Sequence, residues 1–433
     1  MAGEAKFSTV FDLEGVSSTL GFLPETDKYA LVVRDESGKA LDRVAYVDIK
    51  EPNKLQTLIA PVLGREIEDV RITEDGLLVK FQVDLGHRLA LYDFEGKLKA
   101  PEFDLVELGL PPGSIGQMQA SGNVVRFKYE SLINPAAEYT LDLKTRELTL
   151  VEPSNLPFDP SRFVVETTHY ASKDGTQIPM FVLKSRDSAQ IPGPKPTILY
   201  GYGGFDVDVA DRQFVSQGFI PFLEAGGTVA LPALRGGAEL GDAWHEAGKL
   251  ANKQRVFDDF IGAAEALIDR GETTTPQLGI MGASNGGLLV GAALVQRPDL
   301  FGAAIPHAGV MDMLRFHKFS GGRWWVDEYG DPDNSEHYKT LKTYSPYHNV
   351  KDAQYPAVLV TGGRFDSRVD PSHSYKFLAA LQAHQKGTAP IYGYFAPDAG
   401  HWPPNDPKRA AEFAAYRIGF MMDQLGLPVP KKD

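Results

Sequence analysis

The run GIMGASNGGLL, residues 279–289, constrains this chain more than any other stretch. Ser284 stands between Gly282 and Gly286, directly after the apolar run Leu278–Met281. A serine in an open loop needs no such neighbours. A serine on a sharp strand-to-helix corner does, because the backbone turns too tightly there for side chains on either flank. The pattern predicts a buried strand, a corner carrying a nucleophile, and a helix starting at the next residue.

The surrounding sequence fits that corner. Beyond residue 157, short apolar runs alternate with helical patterns. FVVETTHY, IPMFVLKS, PTILYGYGG, GTVALPAL, QLGIMGA, GAAIPHA, AVLVTGG and IYGYFAP read as strands. Val256, Phe257, Phe260, Ala264, Leu267 and Ile268 recur at helical period. Further helices are expected after Ser284, after Pro371 and at the end of the chain, where Asp406 and Pro407 read as an N-cap and first-turn pair. Near-continuous apolar strands alternating with helices predict a doubly wound, mostly parallel sheet covered on both faces. With the serine corner, this is the α/β class and an α/β-hydrolase domain, assigned to residues 158–433.

Residues 1–157 read differently. YALVVRD, VAYVDIK, GLLVKFQVDL, LALYDFEGK, NVVRFKYESL and YTLDLKTREL are strand-like, with Gly, Asn and Asp between them. Asp48, Asp93 and Asp142 each stand before a charged turn, at spacings of 45 and 49 residues. That period suits propeller blades of about 40–50 residues, so a partial all-β propeller of about three blades is expected; an antiparallel sandwich is the alternative. EPSNLPFDPSR, residues 152–162, reads as the linker.

Composition narrows the function classes. The net charge is −13, from 44 basic and 57 acidic residues. That argues against nucleic acid or an anionic membrane as partner, since both reward clustered Lys and Arg. Cysteine is absent, so thiolate chemistry and disulfides are excluded. The opening MAGEAKFSTVFDLEG lacks the basic and apolar regions of a secretory leader. No stretch approaches the ~20 apolar residues of a membrane span, and a cytoplasmic protein is expected.

A serine hydroxyl becomes a useful nucleophile only when a base takes its proton and a third group orients that base. Asp366 follows the strand AVLVTGG, and His401 follows the strand IYGYFAP. Loops after late parallel strands lie at the carboxyl edge of the sheet, where such sites are built. His373 and His384 are the rivals, but both fall on one helical pattern. Ser284, Asp366 and His401 are therefore the expected triad. The backbone N–H of Asn285 and a group from ILYGYGGF, with Tyr202, are candidate oxyanion donors.

Taken together, LYGYGGF, LRGGAELGDAWHEAG, GASNGGLL, AGVMDMLRFHKF, SPYHNV and TGGRFDSRVDP resemble the prolyl oligopeptidase family. SKDGTQIPMFV is similar to the start of that family's hydrolase domain, and VVRFKYESLINPAAEYTLDL to its last blade. The resemblance implies a serine peptidase that cleaves short peptides after proline through an acyl-enzyme, with a propeller beside the hydrolase and no metal or cofactor. It implies that Ser284, Asp366 and His401 are nucleophile, acid and base, with Tyr202 and Asn285 at the oxyanion. It implies that Trp325 stacks on proline, that Phe205, Val310, Tyr329 and Val369 complete the apolar wall, and that Arg368 holds a substrate carbonyl. An aromatic slot suits proline, an apolar ring without an N–H. Asp327 and Glu328 keep open a related specificity after basic residues, although both acids are expected to face solvent.

Two departures qualify the resemblance. Trp402, Pro403 and Pro404 follow His401, where the family often has a small residue. Residues 1–157 supply about three blades at ~45 residues each, against seven in the family. Three blades leave strand edges bare, so self-association or pairing with a fragment carrying the other blades is expected. An esterase on the same core, and an inactive shortened relative, are the remaining alternatives.

Overall fold

The computed structural model describes residues 16–34, 41–62, 65–99, 101–153, 155–208 and 216–429. The opening segment read above for a leader, residues 1–15, lies outside them. The chain divides into two compact units, Met1–Asn155 and Leu156–Asp433, with the division inside the predicted linker.

The first unit contains three four-stranded antiparallel sheets in chain order. They are β1 (Val16–Phe22), β2 (Lys28–Arg34), β3 (Leu41–Asp48) and β4 (Leu55–Ile59); β5 (Glu66–Ile72), β6 (Leu77–Val83), β7 (Gly86–Tyr92) and β8 (Phe103–Asp104); and β9 (Gly113–Ser121), β10 (Val124–Ser131), β11 (Asn134–Asp142) and β12 (Leu148–Glu152). Val79 of β6 packs with Ala30 and Val44 of the first sheet, whereas Leu78 packs with Phe127 and Tyr129 of the third. Alternation along one strand thus buries both faces of the middle sheet. Three sheets stacked in sequence are blades, and the two-sheet sandwich is discarded.

The aspartate repeat has a local cause. Each aspartate ends the third strand of its sheet or, as Asp93, directly follows it, and accepts backbone N–H groups of the turn that follows. Asp48 Oδ1 accepts from Lys50 at 2.9 Å, Asp93 Oδ1 from Lys97 at 2.8 Å, and Asp142 Oδ1 from Lys144 at 2.8 Å. Such side-chain turns start the return into the fourth strand.

The second unit is built on one eight-stranded sheet. Its strands are β13 (Phe163–Ala171), β14 (Gln177–Ser185), β15 (Thr197–Tyr200), β16 (Thr228–Pro232), β17 (Leu278–Ala283), β18 (Ala303–His307), β19 (Ala357–Gly363) and β20 (Ile391–Ala396). The order is β13-β14-β16-β15-β17-β18-β19-β20. The pairings from β16 to β20 are parallel, while β13 with β14 and β14 with β16 are antiparallel. All eight predicted strands are present. The sheet is mixed at one edge because β13 and β14 form a hairpin across the short turn Ser172–Thr176 rather than a crossover.

Helix Lys253–Asp269 lays Val256, Phe257, Phe260, Ala264 and Leu267, all fully buried, into the core of this unit. Each large side chain contributes roughly 1.5–3 kcal/mol of burial. Asp406 caps the last helix, Pro407–Leu425, by accepting from Arg409 N–H at 2.9 Å. Strand order reverses across β15, which opens a crevice at the carboxyl ends of the parallel strands. Tyr202, Ser284, Asp366 and His401 all follow those ends. Among the described residues, no helix is long and apolar enough to cross a membrane.

Candidate active site

Ser284 sits between β17 and helix Asn285–Gln296 with φ 59° and ψ −118°. That left-handed-side conformation is strained for a residue with a Cβ. It is held by the Ser284 N–H donating to His307 O at 2.8 Å and by the Leu288 N–H donating to Ser284 O at 3.1 Å. The flanking glycines are required by contact. A Cβ on Gly282 would lie 2.3 Å from Gly286 O, and one on Gly286 would lie 2.4 Å from Gly201 O. The small residues that drew attention in the sequence are what lets the corner close.

Asp366 and His401 meet across adjacent strand ends. His401 Nδ1 lies 2.8 Å from Asp366 Oδ2. The other carboxylate oxygen of Asp366 accepts from the N–H groups of Arg368 at 2.9 Å and Val369 at 2.8 Å. The carboxylate is buried and its lone pairs are engaged, so it fixes the imidazole in orientation and tautomer, with the proton on Nδ1 and Nε2 left free to accept. His373 and His384 lie on helix Ser372–His384 as expected. His373 is fully buried, and its Nδ1 accepts from Asp312 N–H at 3.0 Å.

The loop after β15 carries Tyr202 and Phe205. Asn285 joins it to the elbow: its side-chain amide donates to Tyr202 O, and its Oδ1 accepts from the hydroxyl of Tyr329 at 2.9 Å. Burial pushes the Tyr329 hydroxyl well above its ordinary range, with the charge of Glu328 adding to it, so it stays a donor.

Phe205, Val310, Trp325, Tyr329 and Val369 come together around one apolar cluster. Phe205 meets Tyr329 edge-on at 5.4 Å. Phe316, which the sequence reading passed over, lies stacked on Trp325 at 6.4 Å and edge-on to Tyr329 at 5.4 Å. It is the fully buried backing of the slot.

One expectation is corrected here. Asp327 is exposed, but Glu328 is 5% exposed and does not face solvent. Its Oε1 accepts from Lys253 Nζ at 2.9 Å, and its Oε2 lies 2.8 Å from His245 Nε2. Burial alone would raise the carboxyl, but attraction to Lys253 and the hydrogen bonds from His245 and Lys253 outweigh it and hold it below its ordinary range. Lys253 also donates to Gly203 O at 3.0 Å. A Cβ on Gly204 would lie 2.8 Å from the ammonium and 2.9 Å from Glu328 Oε1, so this glycine lets the loop settle onto the ion pair. The helical period turned Glu328 inward because Trp325 and Tyr329 on either side of it are buried.

Ser284, His401, Tyr202 and Arg368 open onto one cavity of ≈ 320 Å³. Trp402 and Pro403, the unusual residues after the histidine, line it too, as do His307 and Arg417. Trp402 is 65% exposed and meets the His401 ring edge-on at 5.5 Å. His307 is pushed well below its ordinary range by burial, then by the charges of Arg417 and His401, and is neutral at pH 7.

Comparison with known proteins accords with this geometry. The prolyl oligopeptidase family matches residues 214–427, and the prolyl oligopeptidase N-terminal beta-propeller domain matches residues 24–154. The chain belongs to the prolyl oligopeptidase family. A prolyl endopeptidase of Elizabethkingia miricola is 33% identical over 419 residues, covering 96% of this chain and 58% of that protein. Prolyl oligopeptidase B of Galerina marginata, solved as the apo protein, superposes with a TM-score of 0.85 at 28% identity, covering 99% of this chain and 60% of the other. A structure from a study of two prolyl endopeptidases, concerned with inter-domain dynamics in catalysis and specificity, matches with a TM-score of 0.83 at 39% identity, covering 96% of this chain and 58% of its own. The chain thus spans less than two thirds of the length of these relatives.

The prolyl oligopeptidase fold is present as its α/β-hydrolase domain and three four-stranded blades. The buried Lys253 and the half-buried Arg417 of the hydrolase domain were missed from the sequence, and each had a signal. Lys253 leads the buried row Lys253, Val256, Phe257, Phe260. Arg417 lies between Phe413 and Met421, both buried, at spacings of four on the last helix. A charge on an apolar stripe is costly unless something offsets it.

Proposed function

We propose that this chain is a serine peptidase that hydrolyses short peptides on the carboxyl side of proline. The observation that carries the reading is the buried Asp366 carboxylate 2.8 Å from His401 Nδ1, with His401 and Ser284 lining one cavity.

Ser284 Oγ attacks the carbonyl carbon of the proline residue while His401 Nε2 takes its proton. Asp366 stabilises the imidazolium that forms. The negative oxygen of the tetrahedral intermediate is met by the Asn285 N–H and the Tyr202 hydroxyl. The C–N bond then breaks, His401 hands its proton to the departing amine, and the acyl group stays on Ser284 as an ester. Water, deprotonated by His401, attacks that ester and releases the acid with Ser284 restored. Arg368 holds a peptide carbonyl of the acyl half. The proline ring lies among Phe205, Val310, Trp325, Tyr329 and Val369, where area burial and stacking bind it without a charge.

Specificity after basic residues loses its support in this reading. Glu328 is already engaged by Lys253 and His245, and Asp327 is exposed, so neither offers a free buried carboxylate to a substrate cation.

The test is turnover of acyl-Gly-Pro and acyl-Gly-Arg anilides by the full chain. Turnover of the proline substrate, its loss in Ser284→Ala with unchanged circular dichroism, and labelling of the parent chain by a fluorophosphonate are expected. Preference for arginine would overturn the proline slot. Failure of the probe to label would favour an inactive relative.

A further inference from the structure

Arg417 has no role in the chemistry just described. It projects from the last helix into the cavity that holds Ser284 and His401. Its Nε is enclosed and has no hydrogen-bond partner. Its neighbours include the ring of Phe413, 5.7 Å away, and Tyr200 and His307, with which it interacts electrostatically. Other enclosed cations of this unit are paired: Lys253 with Glu328, and Arg235 with Asp174 and Asp259. Among the described residues the cavity lining includes two arginines and no carboxylate. Arg368 has a task on the acyl half, and His307 is neutral. Arg417 thus faces the cavity of Ser284 and His401 with its Nε unpartnered and no carboxylate in the lining, and a guanidinium does not escape by losing its proton.

Its position also fixes which half of a substrate it meets. The apolar residues Phe205, Trp325, Tyr329 and Val369, assigned to the proline ring, are absent from the lining of this cavity, although Arg368, assigned to the acyl half, lines it. His401, which protonates the leaving nitrogen, and the following Trp402 and Pro403 line it beside Arg417. The side of the cavity formed by His401, Trp402, Pro403 and Arg417 is the one assigned here to the leaving half.

We propose that Arg417 is a specificity residue that binds a carboxylate on the leaving half of the substrate, close to the scissile bond. The inference rests on the peptidase reading above. A guanidinium matches a carboxylate in a two-point fork, and the pair strengthens where water is excluded. Two groups offer that chemistry: the α-carboxylate of a residue that ends the peptide directly after the scissile bond, and the side chain of Asp or Glu at that position. The preference is thus for short leaving halves or acidic ones.

The experiment uses the full chain carrying Ser284→Ala, so that binding is read without turnover. Calorimetry compares acetyl-Gly-Pro-Ala with its C-terminal amide, and acetyl-Gly-Pro-Asp-amide with acetyl-Gly-Pro-Asn-amide. The carboxylate member of at least one pair is expected to bind on the order of tenfold tighter. The first pair reports the chain terminus and the second the side chain. Adding Arg417→Met should bring the ratio to about one, whereas Arg417→Lys should keep part of it. Thermal melting of both variants checks that the fold is kept. The parent chain should show the same ratio in kcat/KM. Equal affinities within both pairs, or a ratio that survives Arg417→Met, overturns the proposal. A carboxylate preference in binding with no turnover of any peptide by the parent chain keeps the anion site and overturns the peptidase reading instead. No binding of any of the four peptides at millimolar concentration overturns both.

Discussion

The hydroxyl of Tyr329 donates to Oδ1 of Asn285 across 2.9 Å, while the amide of the same Asn285 holds the carbonyl of Tyr202. One side chain, next to Ser284, therefore joins the loop that carries Tyr202 to the apolar cluster that holds Tyr329. Asn285 and Tyr329 are both buried, with 2% and 1% exposure, so neither can turn to water for a replacement partner. Breaking this link should cost stability and catalytic geometry together.

Tyr329→Phe removes only the hydroxyl and leaves Asn285 Oδ1 buried and unpaired. A loss of about 1–3 kcal/mol is expected from the denaturant midpoint. Combined with Asn285→Ala, the double variant should lose less than the two single losses added, with a coupling of about 1 kcal/mol in a double-mutant cycle. Strict additivity would show that the hydrogen bond carries no energy.

Gly286→Ala should damage the elbow itself. Its Cβ would lie 2.4 Å from Gly201 O, and backbone cannot rotate away as a side chain does. A destabilisation of about 1–3 kcal/mol is expected, together with slower fluorophosphonate labelling of Ser284. Unchanged labelling would mean that β15 and the elbow can separate without disturbing the nucleophile.

The Lys253–Glu328 pair lies inside the protein at 1% and 5% side-chain exposure. Lys253→Met leaves the carboxylate buried beside His245 alone, and a loss of about 3–5 kcal/mol is expected. Adding Glu328→Gln should recover part of it, because the unpaired charge goes as well. Chemical denaturation of the three variants checks this order. A double variant weaker than Lys253→Met would show that His245 compensates the acid unaided.

His373 gives the fold a pH dependence of definite sign. Burial, then the nearby charge of Lys376, pushes its ring down to about 4 from an ordinary 6.5. Between those values the unfolded chain binds a proton that the folded chain refuses. Stability from this group is therefore complete above about pH 6.5 and falls as pH drops toward 4, by about 3 kcal/mol in all. His373→Asn, which can still accept from Asp312 N–H, should flatten the fall in denaturant midpoint between pH 7 and 4. An equally steep fall would assign the effect to other groups, His307 first among them.

The strands legible in the sequence were the inner ones. In each blade the reading found the second and third strands: β2 and β3, β6 and β7, β10 and β11. It missed the outer pair. Inner strands are paired on both sides and carry mostly apolar, buried runs, such as Leu77–Phe81 of β6, interrupted only by Lys80. Outer strands are short or largely exposed, like β8 with two residues or β12 with four exposed positions of five. Their pairing comes from a neighbour already in place, which no local pattern records.

The sequence by itself determined the serine corner, because the decisive steric contact is local there: a Cβ on Gly282 would meet Gly286 O at 2.3 Å. It also determined the eight strands of the hydrolase sheet and placed Asp366 and His401 after their ends, since a parallel sheet puts all such loops at one edge. Only the tertiary structure decided that Glu328 turns inward to Lys253 and His245, that Phe316 backs Trp325, and that Arg417 enters the cavity of Ser284 and His401. The first and third depend on elements that meet across many tens of residues, and the second on the fold of the short connection between Phe316 and Trp325. Charge and burial of a single side chain follow from its neighbours in space, and the sequence names those neighbours only after the sheet order has brought them together.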